Sequence, residues 1–364
     1  MTAVALPKAS EEAWKYTPVA EIEAARRAAV PAADESVTRT TLDDLAGDLG
    51  CPRLVFVNGR ASRDLSDRVP AGVRIGAVPS AATLMIAADV DVETPLHIVH
   101  VSVPRDLRSL SHPRSLVHAA PGSHVAVVET YCGSPGPALT EASTEIRVGS
   151  AARVEYVRIQ VEPDDAIHIG RTRVEQGEAS AVHLTSVTSG GDIARQQIDV
   201  RLPGSDARTD LDGLYLPARQ QRHDTVVRVD HAASRGTTTQ RFKGVVDDHA
   251  RGSFSGHVIV RPGTTGNDAQ QANHNLLLSP TAEADTRPWL EIFADEVRCT
   301  HGATVGRLDG DALFYLRSRG IPLSQSRDLL VSGFTAEILD TISLPTAREW
   351  LAHGVARRSP ERRR

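Results

Sequence analysis

The chain has 364 residues, with 41 Lys and Arg against 46 Asp and Glu and a formal charge of -5. A slightly acidic chain is not built to neutralise phosphates, which excludes a general nucleic-acid binder; its only basic cluster, Arg357-Arg358 with Arg362 to Arg364, is of the kind that is ordinarily solvated. Cys51, Cys132 and Cys299 stand at unrelated spacings and form neither a disulfide framework nor a CxxC zinc site, and residues 1 to 30 hold no apolar signal-type segment, so a reducing, cytoplasmic setting is expected.

From Ser10 to Ala29 the residues favour helix, with Ser10 placed to cap before Glu11 and Glu12, and Pro18 dividing the segment into two short helices. Leu54-Val55-Phe56-Val57 running into Asn58-Gly59 predicts a strand entering a turn, and Pro70 to Pro79 a second strand between loops. Residues 1–95 thus form a first region, helical and then mixed α/β.

From Leu96 to Gly306 the chain consists of short β-branched runs broken by Gly, Pro, Asn and Asp. Gly122, Gly149, Gly177 and Gly204 each open a turn before an alternating run, at spacings of 27, 28 and 27 residues. At about 3.3 Å per residue a unit of this size holds two or three short strands, one coil of a β-helix or solenoid. An antiparallel sandwich with evenly placed turns is the alternative, although sandwich turns ordinarily recur at about 8 to 12 residues. The exposed strand edge of a solenoid must be capped or paired, which predicts a partner.

Residues 307–364 are expected to be helical. Asp309 is placed to cap a helix carrying Leu313, Phe314 and Leu316 that stops at Gly320, with Pro322 barring its continuation. Ser324 is placed to cap a second helix through Leu329 and Leu330 to Gly333; a third runs from Thr335 to about Ile342, and Pro345 opens a fourth with Trp350 and Leu351. The apolar residues recur at helical spacing and describe a small bundle that must pack on the solenoid or on a partner.

The chemistry concentrates at Cys299-Thr300-His301-Gly302. Two positions apart on a strand, Cys299 and His301 face the same way and can form a joint site; thiolate and imidazole both ligate iron, but a cluster generally takes about four protein ligands, so this chain would share one or hold none. The other reading keeps His301 as a packing residue bonded to a carbonyl and Cys299 as a small buried hydrophobe. His274, within Gln270-Gln271-Ala272-Asn273-His274-Asn275, is either a second ligand or part of an amide ladder between coils. Arg241-Phe242-Lys243-Gly244 and His223-Asp224 are candidate anion contacts or solvated charges. The sequence lacks both GxxxxGK[ST] and a GxGxxG strand–turn–helix, so ATP or dinucleotide binding by those routes is excluded.

Several stretches together carry a resemblance. Glu12-Ala13-Trp14-Lys15-Tyr16-Thr17, Thr239-Gln240-Arg241-Phe242-Lys243-Gly244, Gln271-Ala272-Asn273, Pro288-Trp289-Leu290-Glu291-Ile292, Cys299 to Gly306 and Phe314-Tyr315-Leu316-Arg317-Ser318-Arg319-Gly320-Ile321 follow in the order of the SufB/SufD family of SUF-system iron–sulfur cluster assembly proteins. Thr300-His301-Gly302-Ala303-Thr304 in place of Glu-His-Glu-Ala-Thr, and no cysteine near Asn273 to Asn275, resemble its SufD branch and put independent scaffold activity in doubt. The resemblance implies a mainly β fold: a right-handed parallel β-helix core over 96–306 with helical N- and C-terminal subdomains. It implies a non-catalytic scaffold subunit that pairs with a SufB-like paralogue through the β-helix, with a transient iron–sulfur cluster shared at His301, less certainly Cys299, and no cofactor bound stably by this chain alone. A SufC-like ABC-type ATPase, the expected source of ATP hydrolysis, would dock on the C-terminal helices through Phe314, Tyr315, Leu316, Arg317, Arg319, Leu329, Leu330 and Phe334. A role in iron acquisition and a reduced flavin on the complex belong to the same expectation. The same architecture without that role would be a polysaccharide-active β-helix enzyme or a purely structural solenoid.

Overall fold

The computed structural model describes residues 12–33, 35–76, 81–105 and 107–357. The cap expected of Ser10, the end of the strand expected near Pro79 and the basic tail past Arg357 lie outside the described residues. Strands hold 48% of the residues and helices 17%, and the strands wind into a parallel β-solenoid of about eight turns. Each coil gives one strand to an 11-stranded sheet and one to a facing 10-stranded sheet.

The glycine spacing is the coil length. In the 10-stranded sheet His124, Arg153, Ala181, Arg208, Thr237, Asp268 and Arg298 stand level on successive coils, in steps of 27 to 31 residues. At the corners the coils stack backbone on backbone: a Cβ on Gly177 would stand 2.8 Å from the Ser150 nitrogen, and one on Gly204 would run into that of Glu178. Two residues after these glycines Ala179 and Asp206 adopt φ of 54° and 59°, and Ala179 donates its N–H to the Ser205 carbonyl of the next coil at 2.9 Å.

The ladder begins before the change of texture at Leu96. Arg53–Val57 pairs in parallel with Leu96–Ser102, and Ala81–Ile86 with Arg114–Ala119, while antiparallel hairpin partners, Arg60–Ser62 after the Asn58-Gly59 turn and Val73–Ile75, close this end. Between the sheets, one half of the interior is apolar, built from residues such as Val117, Ile146, Val174, Leu202, Val229 and Val258. The other half is polar and equally dry. Glu129 accepts hydrogen bonds there from His100 (3.0 Å), Thr144 (2.8 Å), Ser115 and Tyr156, and Arg158, 2% exposed, donates to His168, whose Nδ1 donates to Glu162 at 2.6 Å.

Helices cover the outer faces. After a short 3-10 turn, Glu12–Trp14, helix α1 (Val19–Ala28) lays Val19 and Ile22 on Leu139, Ile167 and Ile193 of the 11-stranded sheet, with Trp14 3.8 Å from the Arg195 guanidinium. Helix α2 (Arg39–Ala46) caps the first coils. Helix α3 (Gly310–Ser318) starts at Asp309, whose carboxylate accepts the Asp311 N–H at 2.8 Å, and Pro345 opens α5 (Pro345–Arg357) as expected. Between them the two helices expected on either side of Gly333 are one, α4 (Leu323–Leu339), with Pro322 rather than Ser324 at the N-cap position. A glycine in a helix costs only about 1 kcal/mol, and the burial of Ile338 and Leu339, with Leu351 of α5, against Val157, Leu214 and Val245 of the 10-stranded sheet outweighs it.

Candidate functional site at the open end of the solenoid

The last coil is bonded on one side only. Glu283–Ile292 pairs with Arg251–Val260, and Arg298–Arg307 with Asp268–Leu277, and neither has a further neighbour among the described residues. In register, Cys299 lies over Ala269, His301 over Gln271, Ala303 over Asn273 and Val305 over Asn275. The four lower residues are buried in the interior, so side-chain alternation turns the four upper ones the same way, onto a floor that no further coil covers among the described residues. Cys299 and His301 therefore share a face, as their spacing requires. Cys299 packs half-buried against the core, and that burial, with Asp268 nearby, raises its pKa above the ordinary thiol value; His301 is exposed. Ile292, Phe293 and Val305 give this end an exposed apolar rim.

His274 is on the opposite, outer face, where its Nδ1 lies 2.8 Å from the Thr304 hydroxyl, so it does not join His301. Among the described residues no three His, Cys, Asp or Glu side chains converge to hold a metal ion. The amides around it do form a ladder. Gln271 donates to Gln240 Oε1 (2.8 Å), Asn273 to the Tyr215 hydroxyl (3.1 Å) and the Phe242 carbonyl (3.2 Å), and Asn275 to Asn273 (2.7 Å).

The candidate anion contacts are consumed by structure. Arg241 makes a two-pronged bond to Asp212, Lys243 pairs with Glu337 and bonds the Phe334 carbonyl of α4, and Asp224 is held by Arg195, Thr17 and Ser253. Sequence reasoning missed one cluster on the outer face of the last two coils. Arg287 lies 4.3 Å over the Trp289 ring, which stacks on His257 at 4.2 Å; the only advance sign was Trp289 in an alternating strand.

At the other candidate surface α3 buries no residue. Phe314, Tyr315 and Leu329 are 74%, 58% and 52% exposed, Arg317 is exposed, and Arg319 lies over the Tyr315 ring at 5.2 Å. Leu316 and Leu330 are half-buried, and Phe334 is partly spent on the fold beneath Lys243, 4.3 Å from its ring.

Residues 101–334 match the family described as the SUF system FeS cluster assembly SufBD core domain. The chain belongs to the SufBD family. Whole-length relatives agree. The iron–sulfur cluster assembly protein SufD of Escherichia coli K12 is 26% identical over 98% of this chain and 90% of its own length. SufBD family proteins of Synechocystis and of Mycobacterium tuberculosis H37Rv are 28% and 30% identical, over 97% and 96% of this chain and 88% of each relative. This SufD-like chain thus belongs to iron–sulfur cluster assembly of the SUF system, in a family of assembly scaffold-type proteins. Among the described residues no helix is long and apolar enough to cross a membrane.

Proposed function

We propose that this chain is the SufD-like subunit of a SufBCD-type scaffold, supporting iron acquisition and de novo cluster formation where its open solenoid end meets a SufB-like partner. One observation carries this reading: His301 is held on the interior face of a coil whose edge is unpaired and whose rim is apolar. An unpaired edge of that kind is covered by another strand pair. With a partner in place, the imidazole would lie in a dry junction, a ligand to a cluster whose remaining ligands come mostly from the other chain. Cys299, held as a thiol in the free chain, would be the second ligand.

The exposed α3 and α4 as far as Phe334, with Phe314, Tyr315, Leu316, Arg317, Arg319, Leu329, Leu330 and Phe334, would dock a SufC-like ATPase. The C-terminal end of α4, through Ile338 and Leu339, is packed on the 10-stranded sheet, so a nucleotide-driven movement of the ATPase would reach the solenoid through one rigid element. The cluster is cargo, and a reduced flavin, where one takes part, would be carried by the complex. The cytoplasm is the expected compartment.

Anaerobic co-purification with SufB-like and SufC-like partners tests this, assaying subunit ratio, iron and acid-labile sulfide for wild type and His301→Ala. A ternary complex that assembles in both but loses its cluster in the variant is the expected result. Unchanged cluster content would leave a structural solenoid, and failure to bind either partner would sink the proposal.

A further inference from the structure

We infer that residues 12–28 form a clasp that ties the last coil of the 11-stranded sheet to the coils behind it, with a buried anchor at Trp14 and Thr17 and a releasable end at Glu12. The segment runs across the strands rather than along them. Its contacts begin at Ala138–Val148, where Arg26 donates to Glu141 at 2.6 Å, and pass over Ile167 and Ile193, which lie under Val19 and Ile22. Glu21 then takes a two-pronged bond from Arg222, and at Glu283–Ile292 Glu12 pairs with Arg287. A solenoid coil ordinarily meets only its two neighbours. Here one segment binds strands from the middle of the sheet to its last member.

The anchor is a knot of buried groups. Arg195, Asp224 and Ser253 stand level on three successive coils. Asp224 accepts from Arg195, from Thr17 and from Ser253 (2.7 Å), and Arg195 also donates to Thr17 at 2.8 Å while its guanidinium lies 3.8 Å from the Trp14 ring. All five residues are buried, so pulling the segment away leaves a buried carboxylate short of a donor.

The other end is accessible. The Glu12 and Arg287 side chains are 66% and 26% exposed, a pair of modest strength. Arg287 lies between that carboxylate and the Trp289 ring, which stacks on His257 of the preceding coil. Glu12 thus holds a stack that itself joins the last two coils. Arg298–Arg307 belongs to the facing sheet, so the clasp holds one strand of the last coil and leaves the strand of His301 to its ladder.

The experiment is hydrogen–deuterium exchange of the full chain, read strand by strand. Glu12→Gln is expected to speed exchange of Glu283–Ile292 about two- to five-fold and to leave Arg53–Val57, at the far end of the solenoid, unchanged. In Arg287→Gln the same change at Glu12 is expected to add nothing, because such a cycle isolates the pair. Thr17→Val keeps Asp224 bonded to Arg195 and Ser253 and tests the anchor. It is expected to speed Glu283–Ile292 in the wild-type background and to add nothing in Glu12→Gln.

Unchanged exchange of Glu283–Ile292 in Glu12→Gln overturns the proposal, as does an equal rise at Arg53–Val57, the mark of general destabilisation. A Glu12 effect that persists in Arg287→Gln removes the pair as the releasable end and overturns it too. An effect of Thr17→Val that is the same size with and without Glu12 reduces the segment to local packing and sinks the clasp. Glu12 and Arg287 make their bond at the surface, so their cycle serves if Thr17→Val fails to fold.

Discussion

Glu129, Arg158, His168 and Glu162 are charged or polar groups with almost no access to water, and they survive there because each meets another. Burial alone would raise the Glu129 carboxyl, but the bond from His100, joined by Ser115 and Tyr156, holds it down at about 2. His97 is lowered as well, to about 3, by burial first and by Arg53 second. Both shifts act in one direction. Below about 6.5 the unfolded chain protonates His97 and the folded chain does not; below about 4.5 the unfolded chain protonates Glu129 as well. Stability measured by denaturant unfolding is therefore expected to fall as pH drops through 6.5 and more steeply between 4.5 and 2, and Glu129→Gln should flatten the lower limb. Removing one member outright is harsher: Glu162→Leu leaves Arg158 buried without its relay to a carboxylate and is expected to cost about 3–5 kcal/mol, read from the midpoint of the same titration.

At the scale of single elements, the coil corner and the helix α3 give opposite expectations. Gly204→Ala forces a Cβ into the backbone of the coil below and is expected to cost about 1–3 kcal/mol or more. Gly302→Ala, on the open strand with nothing within 4 Å of the added carbon, should stay within about 0.5 kcal/mol. Phe314→Ala with Tyr315→Ala removes side chains that pack on little of the fold, so stability should barely change. On the proposed docking of a SufC-like ATPase to α3, the same pair should weaken binding by about 2 kcal/mol, roughly 30-fold in Kd by calorimetry. The corner glycines made the coil legible in advance, because only a stacked corner demands a glycine at so regular a step. The amide ladder and the capped start of α3 were legible for similar local reasons. The inner polar half was not, since Glu129 meets Ser115 and Tyr156 across two sheets and neighbouring coils, and alternation alone does not say which face looks inward. Gly333 misled for the complementary reason: packing of the helix on the sheet overrides a local preference. That Cys299 and His301 share a face was legible from their spacing, but the exposure of His301 was not, because whether a last coil is covered depends on what the following chain does.

Across the whole molecule the contacts are nearly one-dimensional, each coil touching chiefly the coil above and the coil below. The first coils are closed by α2 and two hairpins and the middle coils are sandwiched, whereas the last, among the described residues, has a neighbour on one side alone. Such an array does not melt everywhere at once; its end opens first, because losing the last coil breaks one interface rather than two. Backbone amides of Glu283–Ile292 and Arg298–Arg307 should accordingly exchange with deuterium fastest among the strands, with protection rising coil by coil toward the interior. The open end therefore has a thermal consequence of its own: the segment that carries His301 is the part of the solenoid most given to fraying, and whatever covers it would act as a terminal clamp, stiffening the strand that it touches and, through the ladder, the coils behind.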